Sequence, residues 1–176
     1  MSIPSREEAL KMLKQAGVPP HIIDHCLLVT KIALRFAEAF RAKGYNADLE
    51  LIEAGAILHD IGRSQSHGMD HGAVGGIFVR KLGISENIAR IVERHVGAGI
   101  TEDEAKKNHL PKGSYMPETY EEKIVTYSDK LVEGDREVGI EREIDKLSIE
   151  LGNNHSSLKR LQDLHEEIMG KIGYEL

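Results

Sequence analysis

The chain has 176 residues, 40% of them hydrophobic and 30% charged, with a formal net charge of −6. This is the composition of a soluble globular protein long enough for one well-buried core, with no apolar run near the roughly 20 residues of a membrane span and no long basic run of the kind that marks a broad nucleic-acid-binding surface. The lone Cys26 excludes an internal disulfide and fits a reducing cytoplasm, and the opening "MSIPSREEALKMLKQ" has no apolar signal-peptide core.

Helix signals dominate from the N-terminus onward. Ser5-Arg6-Glu7-Glu8 reads as a capping box and opens a helix that stops near Gly17 and the Pro19-Pro20 pair. A long helix follows from about His21 to Lys43, with Ile22, Cys26, Val29, Ala33, Phe36 and Phe40 forming an apolar stripe at three- and four-residue steps. Asn46 to Asp48 can cap a third helix that runs into His59, with Gly62 as its stop. Further helices are predicted from His71 to Leu82, from Ser85 to about Val96, from Thr119 to about Glu133, from Arg136 to Leu151 and from Ser156 to Met169. Residues 97–117 form a long connection of the kind that often serves as a binding loop or lid, in which Thr101-x-x-Glu104 can start a short helix. Strand signals are nearly absent. The expected fold is all-α: one domain over residues 1–176, a bundle of seven to eight helices with its core at about 20–135 and C-terminal helices over 136–170 packing on it.

The ionisable residues on the apolar faces are the informative ones. His59 follows Ile52 and Ala56 in phase, and it is adjacent to Asp60 in "AILHDIGR". His25 lies between Ile22 and Val29, His71 leads Val74, Gly75 and Phe78, His95 follows Ile88, Ile91 and Val92, and Asp129 lies between Val125 and Val132. One inward histidine is usually a satisfied core residue. An inward carboxylate is costly unless paired, and no Lys or Arg shares these buried faces in a position to pair Asp60 or Asp129. Four imidazoles and two carboxylates converging on one core call for a shared cation, a donor set that suits Fe, Mn, Zn, Ni or Co. The expectation is a centre of two divalent metal ions with one carboxylate between them.

These residues resemble the HD-domain superfamily of metal-dependent phosphohydrolases. His25 in "DHCLLVTKIALRFA" is similar to the family's first histidine, His59-Asp60 with Ile61-Gly62 to its His-Asp doublet in the HDIG form, His71 and His95 to the additional histidines of two-metal members, and Asp129 in "EEKIVTYSDKLVEG" to the closing aspartate. The likeness runs from about residue 20 to 135. The "HVGAGITEDEA" segment further resembles a small, largely archaeal group of uncharacterised predicted hydrolases. The resemblance implies one ion on His25, His59, Asp60 and Asp129, and a second on Asp60, His71 and His95. It also implies hydrolysis of a small phosphorylated metabolite or nucleotide by a metal-activated water.

Beside that set, Asp60 is a candidate to orient or deprotonate the water, and Arg63 and Lys130 are candidates to hold phosphate oxygens. His67 is a possible extra ligand, though a loop histidine is usually solvated. Arg94 reads equally as a surface charge, and Gly75-Gly76 as a site of close helix packing. His21, His109, His155 and His165 read as surface residues and Cys26 as core. A di-iron oxygenase uses a similar ligand set, and a non-catalytic metal-bound sensor is a third reading. The net charge of −6 argues against nucleic acid as a partner, and the sequence is compatible with oligomer formation.

Overall fold

Ser5 opens the first helix, α1 (Arg6–Ala16), by the reciprocal capping box: its hydroxyl accepts from the Glu8 amide and the Glu8 carboxylate accepts from the Ser5 amide. α2 (Pro20–Ala42) starts on a proline, whose missing N–H is harmless in a first turn. The side chain of Asp48 caps α3 (Leu49–Leu58), and a short 3₁₀ turn (Ile61–Ser64) leads into α4 (His71–Lys81). Ser85 caps α5 (Glu86–Arg94). Thr101 and Thr119 cap α6 (Glu102–Lys107) and α7 (Tyr120–Asp129) with their own boxes to Glu104 and Glu122. A small antiparallel hairpin, β1 (Val132–Glu133) and β2 (Arg136–Glu137), separates α7 from α8 (Ile140–Leu151) and α9 (Ser156–Ile172). The computed structural model describes residues 2–173. Among them are nine α-helices and this one sheet, the expected all-α class with the short α6 bringing the count above eight.

α3 is the hub, packed against α1, α2, α5 and α7. Its Ile52, Ile57 and Leu58 are fully buried, each contributing about 2 kcal/mol by removal of apolar surface from water. That anchoring fixes the His59-Asp60 pair that follows it. The helices around α3 come unusually close because glycine faces them: a Cβ on Gly55 would lie 2.6 Å from Ile91 Cδ1 on α5. α9 packs on α7 and α2, and α8 packs on α9. No helix among the described residues is long and apolar enough to cross a membrane.

Three local expectations change. The seventh helix ends at Asp129 rather than Glu133, and the next starts at Ile140 rather than Arg136. Between them Gly134, at φ +65, turns the chain so that Glu133 and Arg136 pair across the hairpin. Gly62 is not a left-handed helix stop. α3 ends at Leu58, and Gly62 is needed because a Cβ there would sit 1.9 Å from the His71 carbonyl oxygen. Residues 97–117 are packed against the fold. Ile100 and Tyr115 exchange backbone hydrogen bonds of 3.2 and 2.9 Å, and with Ala105 and Ala73 they form a small buried cluster. Arg160 on α9 donates to Glu104 and holds the segment down.

Candidate metal centre

The fold brings all six inward residues together at helix ends. His59 follows α3, His95 follows α5 and Asp129 ends α7, so three C-termini, each with partial negative charge on its last carbonyls, point at one spot. His71 is the first residue of α4, Asp60 precedes the 3₁₀ turn, and His25 projects from the first turns of α2. Gly62 and Gly75 let the turn and α4 approach: a Cβ on Gly75 would be 2.7 Å from Val92 Cγ1 and 3.2 Å from the Gly62 nitrogen. Gly75 and Gly76 therefore serve close packing, as expected.

Asp60 stands at the middle of the cluster. Its Oδ1 lies 3.2 Å from His71 Nε2 and 3.4 Å from His95 Nε2, while its Oδ2 lies 3.7 Å from His59 Nε2. Asp129 Oδ1 lies 2.9 Å from His25 Nε2 and 3.5 Å from His59 Nε2. Every histidine thus turns its Nε2 toward a carboxylate. Three of them anchor the opposite nitrogen on backbone: Nδ1–H of His59, His71 and His95 donates to the carbonyls of Ala56, Gly68 and Val92 at 2.7, 2.7 and 2.6 Å. A carbonyl only accepts, so the proton sits on Nδ1 and, in the neutral ring, the Nε2 lone pair is free for a ligand.

Two contacts then make sense only around a positive charge. His71 Nε2 and His95 Nε2 face each other at 3.0 Å, both bare in the neutral rings. His59 Nε2, on a side chain with no exposed surface, has no hydrogen-bond partner among the described residues. A buried nitrogen left this way is costly unless something binds it. A borderline divalent ion with imidazole and carboxylate donors is what this set fits.

The electrostatics agree. Burial alone would raise the Asp60 carboxyl, but the imidazoles of His59, His71 and His95 packed around it carry it below the ordinary carboxylate range. Burial would likewise raise Asp129, and Lys130, His25 and His59 outweigh it. Burial and the neighbouring imidazoles lower His95 to about 4, so it is neutral at physiological pH. Burial opposes charge on His59, yet Cys26, Asp60 and Asp129 raise it above the usual imidazole value.

The expectation that no basic residue pairs the acids is overturned. Lys130 Nζ lies 2.6 Å from Asp129 Oδ2 and Arg63 Nε 3.3 Å from Asp60 Oδ1. Both are long side chains, Arg63 within the 3₁₀ turn and Lys130 just past α7, and they swing back over the acids. Arg63 also donates to the His67 carbonyl at 2.8 Å, whereas His67 itself is exposed and stands outside the six-residue cluster. Arg94 is no surface charge. It is half-buried and donates to Glu122 at 2.9 Å, tying α5 to α7 beside the site. Glu122 is itself 2% exposed, and its place in the capping box was the one sequence sign of it. His165 is half-buried and bonds the Tyr127 hydroxyl at 2.7 Å rather than lying on the surface. His21, His109 and His155 are exposed, and Cys26 is buried, as expected. A cavity of about 900 Å³ opens onto the cluster, with Arg63 and Lys130 on its wall.

Residues 22–134 match the family model described as the HD domain. The chain belongs to the HD-domain family. An uncharacterised protein of Methanocaldococcus jannaschii, MJ0778, is 46% identical over 162 residues, which is 92% of this chain and 95% of that one. A tRNA (cytidine(56)-2'-O)-methyltransferase of Picrophilus torridus is 41% identical over 99% of this chain. The present HD domain spans only 49% of that enzyme's length. Among solved structures, the HD domain of the L. monocytogenes phosphodiesterase PgpH in complex with cyclic-di-AMP shares the fold, with a TM-score of 0.56 at 17% identity over 96% of this chain and 98% of that one.

Proposed function

We propose that this HD domain is a metal-dependent phosphohydrolase that cleaves a phosphomonoester or phosphodiester of a small metabolite or nucleotide. The observation that carries the reading is the pair of bare Nε2 atoms of His71 and His95 facing each other at 3.0 Å beside the Asp60 carboxylate. His25, His59, Asp60 and Asp129 would hold one divalent ion, and His71 and His95 would hold a second, with Asp60 shared between them. Such ions lower the pKa of bound water toward about 7 and draw charge from a phosphoryl oxygen.

The chain's own groups do the rest. Asp60 stays ionised at neutral pH and its carboxylate orients the attacking water. Backbone anchors on Ala56, Gly68 and Val92 keep three imidazoles aimed inward without reorganisation. Arg63 and Lys130 sit at the cavity wall with N–H groups that bind phosphoryl oxygens through charge-assisted hydrogen bonds. Water adds to phosphorus, the ester P–O bond breaks, and the leaving oxygen departs with a proton as an alcohol. That the PgpH HD domain belongs to a phosphodiesterase supports an ester of phosphate as the substrate.

The test is protein purified without chelator, assayed for metal and then for phosphate release across nucleotides and sugar phosphates, in air and without oxygen. Metal-dependent release that is indifferent to oxygen is the expected result. Turnover only in air, or a metal-loaded protein inactive on the whole panel, would overturn it.

A further inference from the structure

The cavity over the cluster is built from two unlike halves. The inner half carries five of the six cluster residues, all but the fully buried His59, and the cations Arg63 and Lys130. The outer half lies on the start of α2, the 132–137 hairpin and α8, so much of it falls beyond the residues that match the family model. The lining also includes a set of partly buried aliphatic side chains, Ile22, Leu28, Val132 and Val138.

Charges on the outer half do not invite a second anion. Its two cations each have an acid beside them, as Arg63 and Lys130 have, but here further acids are left over: Arg142 Nε lies 3.1 Å from Glu133 Oε2 and Lys146 Nζ 3.7 Å from Glu143 Oε2. Asp24 and Asp135, exposed on the same wall, have no ion-pair partner among the described residues. With four acids against two cations, the outer wall carries a net charge of −2 (His neutral). Across a cleft with low-dielectric walls such a charge is felt by a ligand within roughly a Debye length of 8–10 Å.

Resting on the phosphoester reading of the inner half, we infer that this site selects a substrate with a single phosphate group, whose remainder is uncharged, has an apolar face for the aliphatic lining, and offers hydroxyl or amino donors to the outer acids. The inner cations take the phosphate and the outer wall repels any further one. Polyphosphorylated ligands and nucleic-acid strands are poor fits. A nucleoside monophosphate or a comparably sized phosphorylated metabolite is a good one, because the cavity of about 900 Å³ lies within the usual range for small-molecule sites.

A matched pair tests this: a nucleoside 5′-monophosphate and the corresponding 3′,5′-bisphosphate, measured on metal-loaded protein for both calorimetric binding and phosphate release at low ionic strength. The monophosphate should be favoured by roughly tenfold or more, which corresponds to about 1.4 kcal/mol. The double substitution Asp24→Lys with Asp135→Lys should shrink or invert that ratio, and added salt should shrink it too. The milder pair Asp24→Asn with Asp135→Asn should shift it in the same direction, and covers the case in which charge reversal perturbs folding. Equal binding of the two ligands by the natural protein, or a ratio unmoved by either double variant, would overturn the inference. Because binding is scored apart from turnover, absent phosphate release with intact selectivity would overturn the hydrolase reading and leave this one standing.

Discussion

The two ends of the six-residue cluster are held in different ways. At one end His71 and His95 are 4% and 2% exposed, and each is locked by an Nδ1–H bond to a backbone carbonyl. At the other, the His25 and Asp129 side chains keep 21% and 13% of their surface, and Lys130 rather than backbone braces the aspartate. The first end is fixed by backbone hydrogen bonds of the fold, and the second is steadied by a side-chain cation on the cavity wall. Asp60 belongs to both, which is why its loss should do the most damage.

Asp60→Ala should therefore empty both ends, with a fall in kcat/KM on the order of 10³-fold, or about 4 kcal/mol of transition-state stabilisation. Metal analysis and phosphate-release kinetics on the same preparation would show it, and retained metal with full turnover would remove Asp60 from the account. The buried end has its own pH signature. His95 is lowered to about 4 in the fold, against about 6.5 in an unfolded chain, so the unfolded state binds the extra proton first. Its contribution to stability is complete above about pH 6.5 and is lost as pH falls toward 4, which amounts to roughly 3 kcal/mol in the metal-free chain. Chelated protein unfolded in urea across that range should show the loss, and His95→Asn should flatten it.

Gly62→Ala attacks the same end by sterics. Its Cβ would meet the His71 carbonyl oxygen at 1.9 Å, and the forced shift should cost about 2–3 kcal/mol of stability, read as a lower urea midpoint. Lys130→Met probes the open end. It keeps the aliphatic stem but removes the charge beside Asp129, and should lower kcat/KM roughly 10–100-fold, as losing a residue that orients a ligand does. If Lys130→Met instead matched Asp60→Ala in metal loss, the open end would depend on lysine more than the geometry implies.

The difference between the ends also marks what the sequence could tell. Helix phase placed His25, His59, His71, His95 and Asp129 on inward faces, because the direction of a Cβ follows directly from the 3.6-residue period. Capping boxes at Ser5, Thr101 and Thr119 announced three helix starts at the residue. The braces were hidden. Lys130 and Arg63 point elsewhere by phase, and only their length and the turns after α3 and α7 bring them back over the acids. Arg94 and Glu122 are separated by 28 positions and pair across two helices, a contact that no local pattern encodes. The hairpin was missed because its strands are only two residues each, too short for alternation to register.

The central claim is that distant imidazoles and carboxylates share bound cations, and counting those cations tests it most directly. Metal analysis of the natural protein, His71→Ala and Asp60→Ala, purified side by side without chelator, should give close to two, one and zero divalent ions per chain. A natural protein that turns over phosphate esters with no bound metal, or a His71→Ala protein that keeps both ions, would contradict it.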